Sequence, residues 1–359
     1  MLMSNITHTR IEYIDFLRVI ATIAVVCTHV SSIYINGPDF DSMTWHVHNI
    51  TGALFRWCVP IFVMISGALF LDKNKIISIT YIYNKNIVRI ITALAVWSII
   101  YSFFQYSTIE RYNNFYSIIG FSLIGHYHLW FLYMILSIYF ALPILKYISQ
   151  SPTIIHYFLV LSFIFTFIIP IIIYIIRFIL PQTAYDLFNT HPYFIEGINY
   201  NYNQLTPHTV TGYTFYFCFG HYLNTRTIKT STLKVLIIGL LGFAVTAIPT
   251  TLLSRDHFCG DFYHYLSIGP LLEAYAIFII GKRYWSNINI KQVSELAKTS
   301  FGVYLIHPMI IETLLLFNID TTMVNPIIGI PVFIIFVLML STSIVFILLR
   351  IPWFNRYCL

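Results

Sequence analysis

The stretch YIDFLRVIATIAVVCTHVSS, Tyr13 to Ser32, carries three side chains able to do chemistry inside an apolar run: Asp15, Arg18 and His29. Ionisable groups are costly in a hydrophobic helix, so they mark either a functional site or a paired structural cluster. Arg18 and His29 stand eleven residues apart, which is about 1100° of rotation and roughly 20° past three full turns. Both therefore lie on one helical face, about 16 Å apart along the axis, with Asp15 one turn below Arg18 on nearly the same stripe. Such a polar line is how a path from one membrane face to a buried reacting centre would be built, and a histidine at its far end is suited to general base work on a hydroxyl. The structural alternative is an Arg18 that snorkels to the interface and a His29 that hydrogen-bonds a neighbouring helix.

Further polar residues interrupt other apolar runs. Arg56, in FRWCVPIFVMISGALFL, is followed by Pro60, Ser66 and Gly67. An arginine there needs a carboxylate, a carbonyl array freed by the Pro60 break, or an anionic ligand, unless it reaches the outer interface. The segment GHYHLWFLYMIL crowds His126, His128, Trp130 and Tyr133 together; an aromatic belt explains Trp130 and Tyr133, but not two histidines. Glu273 in GPLLEAYAIF is a buried carboxylate that could pair with Arg56, with His29 or with another helix. His307 precedes Pro308 in FGVYLIHPMIIE, with Glu312 beyond. Lys73, Lys75, Lys85 and Arg89 form a basic cluster that either binds phosphates or follows from the bias of basic residues towards cytoplasmic loops. HxH spacing occurs only at His46/His48, expected in a loop, and His126/His128, so no metal is expected; no GxSxG nucleophile stretch is present.

The elements that must position these residues are membrane helices. The 359-residue chain is 58% hydrophobic and 9% charged with a mean hydropathy of +0.76, which implies an all-α polytopic membrane protein. About twenty apolar residues make a span, and ten candidates follow, at roughly 14–35, 49–71, 88–108, 127–147, 154–179, 211–224, 234–253, 262–281, 299–318 and 326–350; the sixth is short and polar at its ends. With both termini cytoplasmic, sixteen basic residues fall on the cytoplasmic side and only Arg111 and Arg255 on the other, Arg56 and Arg177 lying within or at the ends of spans, a strong positive-inside bias. That bias accounts for the net charge of +6, so no nucleic-acid partner is expected. The five cysteines show no CxxC spacing, and neither a disulfide framework nor a metal site is indicated. The first apolar run is too long for a signal-peptide core, so it is expected to stay in the mature protein. The chain reads as one transmembrane domain, 1–359, with a basic cytoplasmic loop at 72–88 and its longest outer loop at about 180–210.

Together these pieces resemble the acyltransferase-3 family of integral-membrane O-acyltransferases. The resemblance rests on YIDFLRVIATIAVVCTH with its R-x10-H pair, RWCVPIFVMISGALF, HLWFLYMILSIYFALPIL and FGVYLIHPMI, in the order that family uses. Within the family the chain is most similar to the enterobacterial common antigen O-acetyltransferases, with the polysaccharide intercellular adhesin type as a relative. The resemblance implies a multi-pass protein of the bacterial inner membrane that moves acetyl from cytoplasmic acetyl-CoA to a sugar hydroxyl of a surface glycan or its lipid-linked precursor. It implies a catalytic role for His29, with Arg18 in the same motif and Asp15 beside it. It also implies coenzyme A phosphates held by Lys85, Arg89 and Arg18, where the family's R-x-x-R pair reads KNIVR, Asn86 replacing the first arginine. Arg56, His128, Trp130, Glu273 and His307 are candidates for substrate contact or support. A succinyl donor, and a transporter of polysaccharide or lipid-linked sugar, are the competing readings.

Overall fold

The computed structural model describes residues 11–37, 39–73, 78–108, 115–179 and 211–359, and these contain helices and no β-strand. A helix satisfies its own backbone hydrogen bonds, which hydrocarbon surroundings demand. Nine helices among the described residues are long and apolar enough to cross a membrane: Glu12–Tyr34, Met43–Phe70, Ile82–Thr108, Ile118–Gln150, Pro152–Ile175, Thr232–Leu253, Asp261–Tyr284, Lys291–Leu316 and Pro326–Leu348. The sixth expected span forms a helix, Tyr213–Thr225, of only 13 residues. The long loop expected at 180–210 lies outside the described residues, as do Arg10, Lys75 and Arg111.

Local chemistry sets the helix starts. Ser42, Ser151, Ser231 and Asn325 each accept a backbone N–H of the first turn, and prolines open the helices after Ser151 and Asn325. Several boundaries differ from expectation. The first helix, α1, spans Glu12–Ser31 and ends in a 3₁₀ turn, Ser32–Tyr34. The second span is two helices, α2 (Met43–Leu54) and α3 (Cys58–Phe70). Its break falls at residues 55–57, around Arg56, because Pro60 sits in the first turn of α3, where a missing N–H does no harm. His46 and His48 lie within α2 and not in a loop.

The helix α1 is the centre of the bundle, packing on α2, α3, Ile268–Tyr284, Lys291–Leu316 and Pro326–Leu348. The short helix Tyr213–Thr225 is held against α3 at two glycines: a Cβ on Gly67 would collide with the carbonyl of Phe217, and one on Gly220 with that of Met64. Close backbone approach through small residues is a standard source of packing between membrane helices.

Basic residues gather at the end of the bundle where α1 starts. Lys146 donates to the carbonyls of Phe70 and Asp72, Lys73 to Gln150, and Lys282 to Leu223, Asn224 and Arg226. Each ammonium thereby satisfies orphan carbonyls at a helix C-terminus, where the helix dipole favours a cation.

Candidate active site

A cavity of about 340 Å³ runs beside α1, lined by Arg18, Val25 and His29 from that helix. Its basic end includes Asn86 and Arg89; its other end includes His128, Trp130 and Tyr265; Ser66, Tyr139 and Phe62 line it as well. The helical spacing read from the sequence thus corresponds to one continuous wall, with the guanidinium towards one end and the imidazole towards the other.

At the basic end, Arg18 Nη1 pairs with Asp15 Oδ1 at 3.3 Å, and Asp15 Oδ2 accepts from Ser294 at 3.3 Å. The structure places Asp15 as a buried brace for Arg18, about 21 Å from His29 by helix rise, outside the cavity lining. A second cavity, of about 550 Å³, adjoins this end and shares Asn86 and Arg89 with the first; Lys85 lines it but not the inner cavity. The chain enters this region through a π-helical turn, Ile82–Ile87, a feature frequent at functional sites.

At the far end the histidines converge from three helices. His29 and His307 meet edge to face with ring centroids 4.8 Å apart, and His128 and His307 are 6.0 Å apart. His126 Nε2 lies 3.0 Å from Glu312 Oε1, and His126 Nδ1 lies 2.8 Å from His128 Nδ1. His126 donates from Nε2 to the carboxylate and shares its Nδ1 contact with His128, whose Nε2 is buried without a hydrogen-bond partner. His307 donates from Nδ1 to the Val303 carbonyl at 2.9 Å, and its Nε2 is likewise buried without a partner. The site therefore holds two imidazole nitrogens buried without a partner beside His29, whose own Nδ1 lies 3.4 Å from the Tyr127 hydroxyl.

Pro308 explains how His307 is presented. Proline disrupts the helix ladder around it, and the Tyr101 hydroxyl steps into the gap, accepting from Met309 N at 3.2 Å and donating to the Leu305 carbonyl at 2.8 Å. The same Tyr101 ring stacks on His126 at 4.2 Å, so one side chain repairs the helix bearing His307 and supports the His126–His128 pair.

Arg56 lies with its guanidinium over the rings of Tyr263 and Tyr265, at 4.5 and 5.4 Å, a cation–π arrangement. Tyr265 in turn stacks on Trp130, with centroids 5.8 Å apart, so Trp130 faces the cavity as part of an aromatic platform and not only as a belt residue. Glu273, 4% exposed, makes no hydrogen bond or salt bridge with Arg56 or His29 among the described residues, and Arg56 acts on its carboxylate only through space. Arg56 instead finds tyrosine faces close to the helix break that carries it.

Sequence reasoning left His126, Glu312 and Tyr101 out of the candidate site. Glu312 and His126 are 186 residues apart, and no spacing rule reveals their pairing. No group of three or more metal-ligating side chains suited to an ion occurs among the described residues.

Comparison with curated proteins and with solved structures gives no match. The family model described as Acyltransferase domain, acyltransferase 3, matches residues 11–350. That match takes in the whole cavity wall along α1, Lys85, Asn86 and Arg89 of the basic end and the converging histidines, and the chain belongs to the acyltransferase 3 family.

Proposed function

We propose that this membrane acyltransferase moves an acetyl group from acetyl-CoA, bound from the basic, cytoplasmic end, to a sugar hydroxyl of a cell-surface polysaccharide or its lipid-linked precursor. The observation that carries this reading is the cavity that joins Arg18 and Arg89 to His29. A phosphorylated carrier with a long thioester arm has one charged end and one reacting end, and the Arg18 to His29 separation of about 16 Å is comparable to that arm. Arg89 offers a planar, multi-donor cation to the phosphates, and Arg18, braced by Asp15, lines the passage taken by the arm.

In the reaction the acceptor hydroxyl oxygen attacks the thioester carbonyl while His29 takes the hydroxyl proton. The carbon–sulfur bond breaks, and the thiolate leaves as coenzyme A on receiving that proton from His29. His307 and His128 flank the base, and Trp130 with Tyr265 offers an aromatic face of the kind that lies against a sugar ring. In this reading the protein sits in a bacterial inner membrane, with the histidine end towards the outer half of the bilayer.

The test uses purified protein in liposomes with radiolabelled acetyl-CoA and cell-envelope glycan, comparing wild type with His29→Ala. Label entering glycan only with wild type is the expected result. Background labelling from both, with transfer from succinyl-CoA instead, would correct the acyl group. Glycan movement across the membrane by both proteins without acyl transfer would favour the transporter.

A further inference from the structure

The cavity at the basic end contains a cation that the resemblance to the family does not lead one to expect. Residues 352–357 form a short helix whose Arg356 and Tyr357 line the 550 Å³ cavity opposite Tyr81, Lys85, Asn86 and Arg89. The segment is fixed from both sides: Trp97 Nε1 donates to the Cys358 carbonyl at 3.2 Å, and Leu359, 3% exposed, packs into the core against Gly302. Among the described residues no carboxylate lines this cavity. Lys85, Arg89 and Arg356 make no ion pair or hydrogen bond among the described residues; their cations lie only near the faces of Tyr81, Phe301 and Tyr357. The amide nitrogen of Asn86 is buried and has no acceptor. Three cations without a counter-anion around one recess, with an orphaned donor at its inner wall, form a site for a polyanion.

The two cavities give this polyanion a direction. Asn86 and Arg89 stand at their junction, whereas Lys85 and Arg356 line only the outer one. A nucleotide whose tail enters the inner cavity would put its pyrophosphate near Arg89 and the far side of its ribose near Lys85 and Arg356. We infer that Arg356 supplies the second guanidinium of the phosphate site, taking the place of the arginine that Asn86 replaces, and that it selects the ribose 3′-phosphate of the acyl donor. This rests on the coenzyme A reading above and adds to it a specificity residue drawn from a distant part of the chain.

The test is equilibrium binding of coenzyme A and of 3′-dephospho-coenzyme A to the purified full-length protein in nanodiscs. Wild type is expected to prefer coenzyme A by about tenfold, the scale of one charge-assisted hydrogen bond. Arg356→Gln should lose that preference while binding the dephospho form within about twofold of wild type, and Asn86→Arg added to it should restore the preference. An Arg356→Gln protein that keeps the preference overturns the inference, as does one that loses affinity for both ligands equally, which is the mark of a merely structural role. A wild type that binds both forms equally removes the 3′-phosphate assignment but leaves the donor reading standing; a wild type that binds neither removes the donor reading itself.

Discussion

The two ends of the cavity hold their charged groups in opposite ways. At the basic end, Lys85, Arg89 and Arg356 are exposed and have no anion beside them among the described residues. Their neighbours Lys146 and Lys282 are already committed to helix carbonyls. At the histidine end, His126, His128 and His307 are buried, bonded to one another or to backbone and backed by Glu312. Cations near water can wait for a ligand at little cost, because solvent screens them until it arrives. Groups that handle a proton in a dry site must be pre-oriented, since an unpaired polar atom there carries a desolvation penalty. In the proposed reaction one end captures the donor and the other reacts.

The strongest way to break this division is at His29. His29→Ala should lower acyl transfer by about 10²- to 10⁴-fold, the range of a lost general base, while leaving donor binding unchanged; equilibrium binding beside a transfer assay checks both halves. Next, Arg89→Gln should raise the KM for the acyl donor by roughly tenfold or more, with kcat close to wild type, since it removes a charge-assisted contact remote from the bond being broken. Glu312→Gln should do the converse. It keeps a hydrogen-bond acceptor for His126 but removes the charge, and kcat is expected to fall about tenfold with donor KM unmoved. The smallest effect belongs to Asp15→Asn, which loosens the brace on a partly exposed Arg18 and should raise donor KM about two- to threefold. A variant that crossed over, Glu312→Gln changing donor KM or Arg89→Gln changing kcat alone, would dissolve the distinction between the ends.

Much of this was legible along single helices. Arg18 and His29 sit on one α-helix, and helical geometry alone put them on one face, the face that lines the cavity. Lys85 and Arg89 were readable differently, as part of a basic cluster and through the resemblance carried by KNIVR. What was hidden depends on contacts between distant segments. Glu312 meets His126 only because two antiparallel helices place their ends side by side, and Tyr101 reaches both His126 and the Pro308 helix from a third. Arg356 read as an ordinary basic residue beyond the last span, and only the packing of Trp97 and Leu359 turns it towards Lys85. Asp15 was read with the catalytic pair because it shares their stripe, yet that stripe carries it to the basic end, where its partner is Arg18. The break around Arg56 was placed too late, at Pro60, since a proline in the first turn of a helix is tolerated and marks a start rather than an interruption.

The central claim is that capture and reaction communicate through the cavity, and blocking its middle tests this most directly. Ser66 lines the cavity between Arg89 and His29, so Ser66→Trp would fill it while leaving both of those residues unsubstituted. Binding of adenosine 3′,5′-bisphosphate, which needs only the basic end, is measured alongside acyl transfer. The account predicts nucleotide binding within about twofold of wild type and transfer reduced by about a hundredfold or more, as misplacement of a reacting group produces. Transfer at the wild-type rate through the filled passage would contradict it.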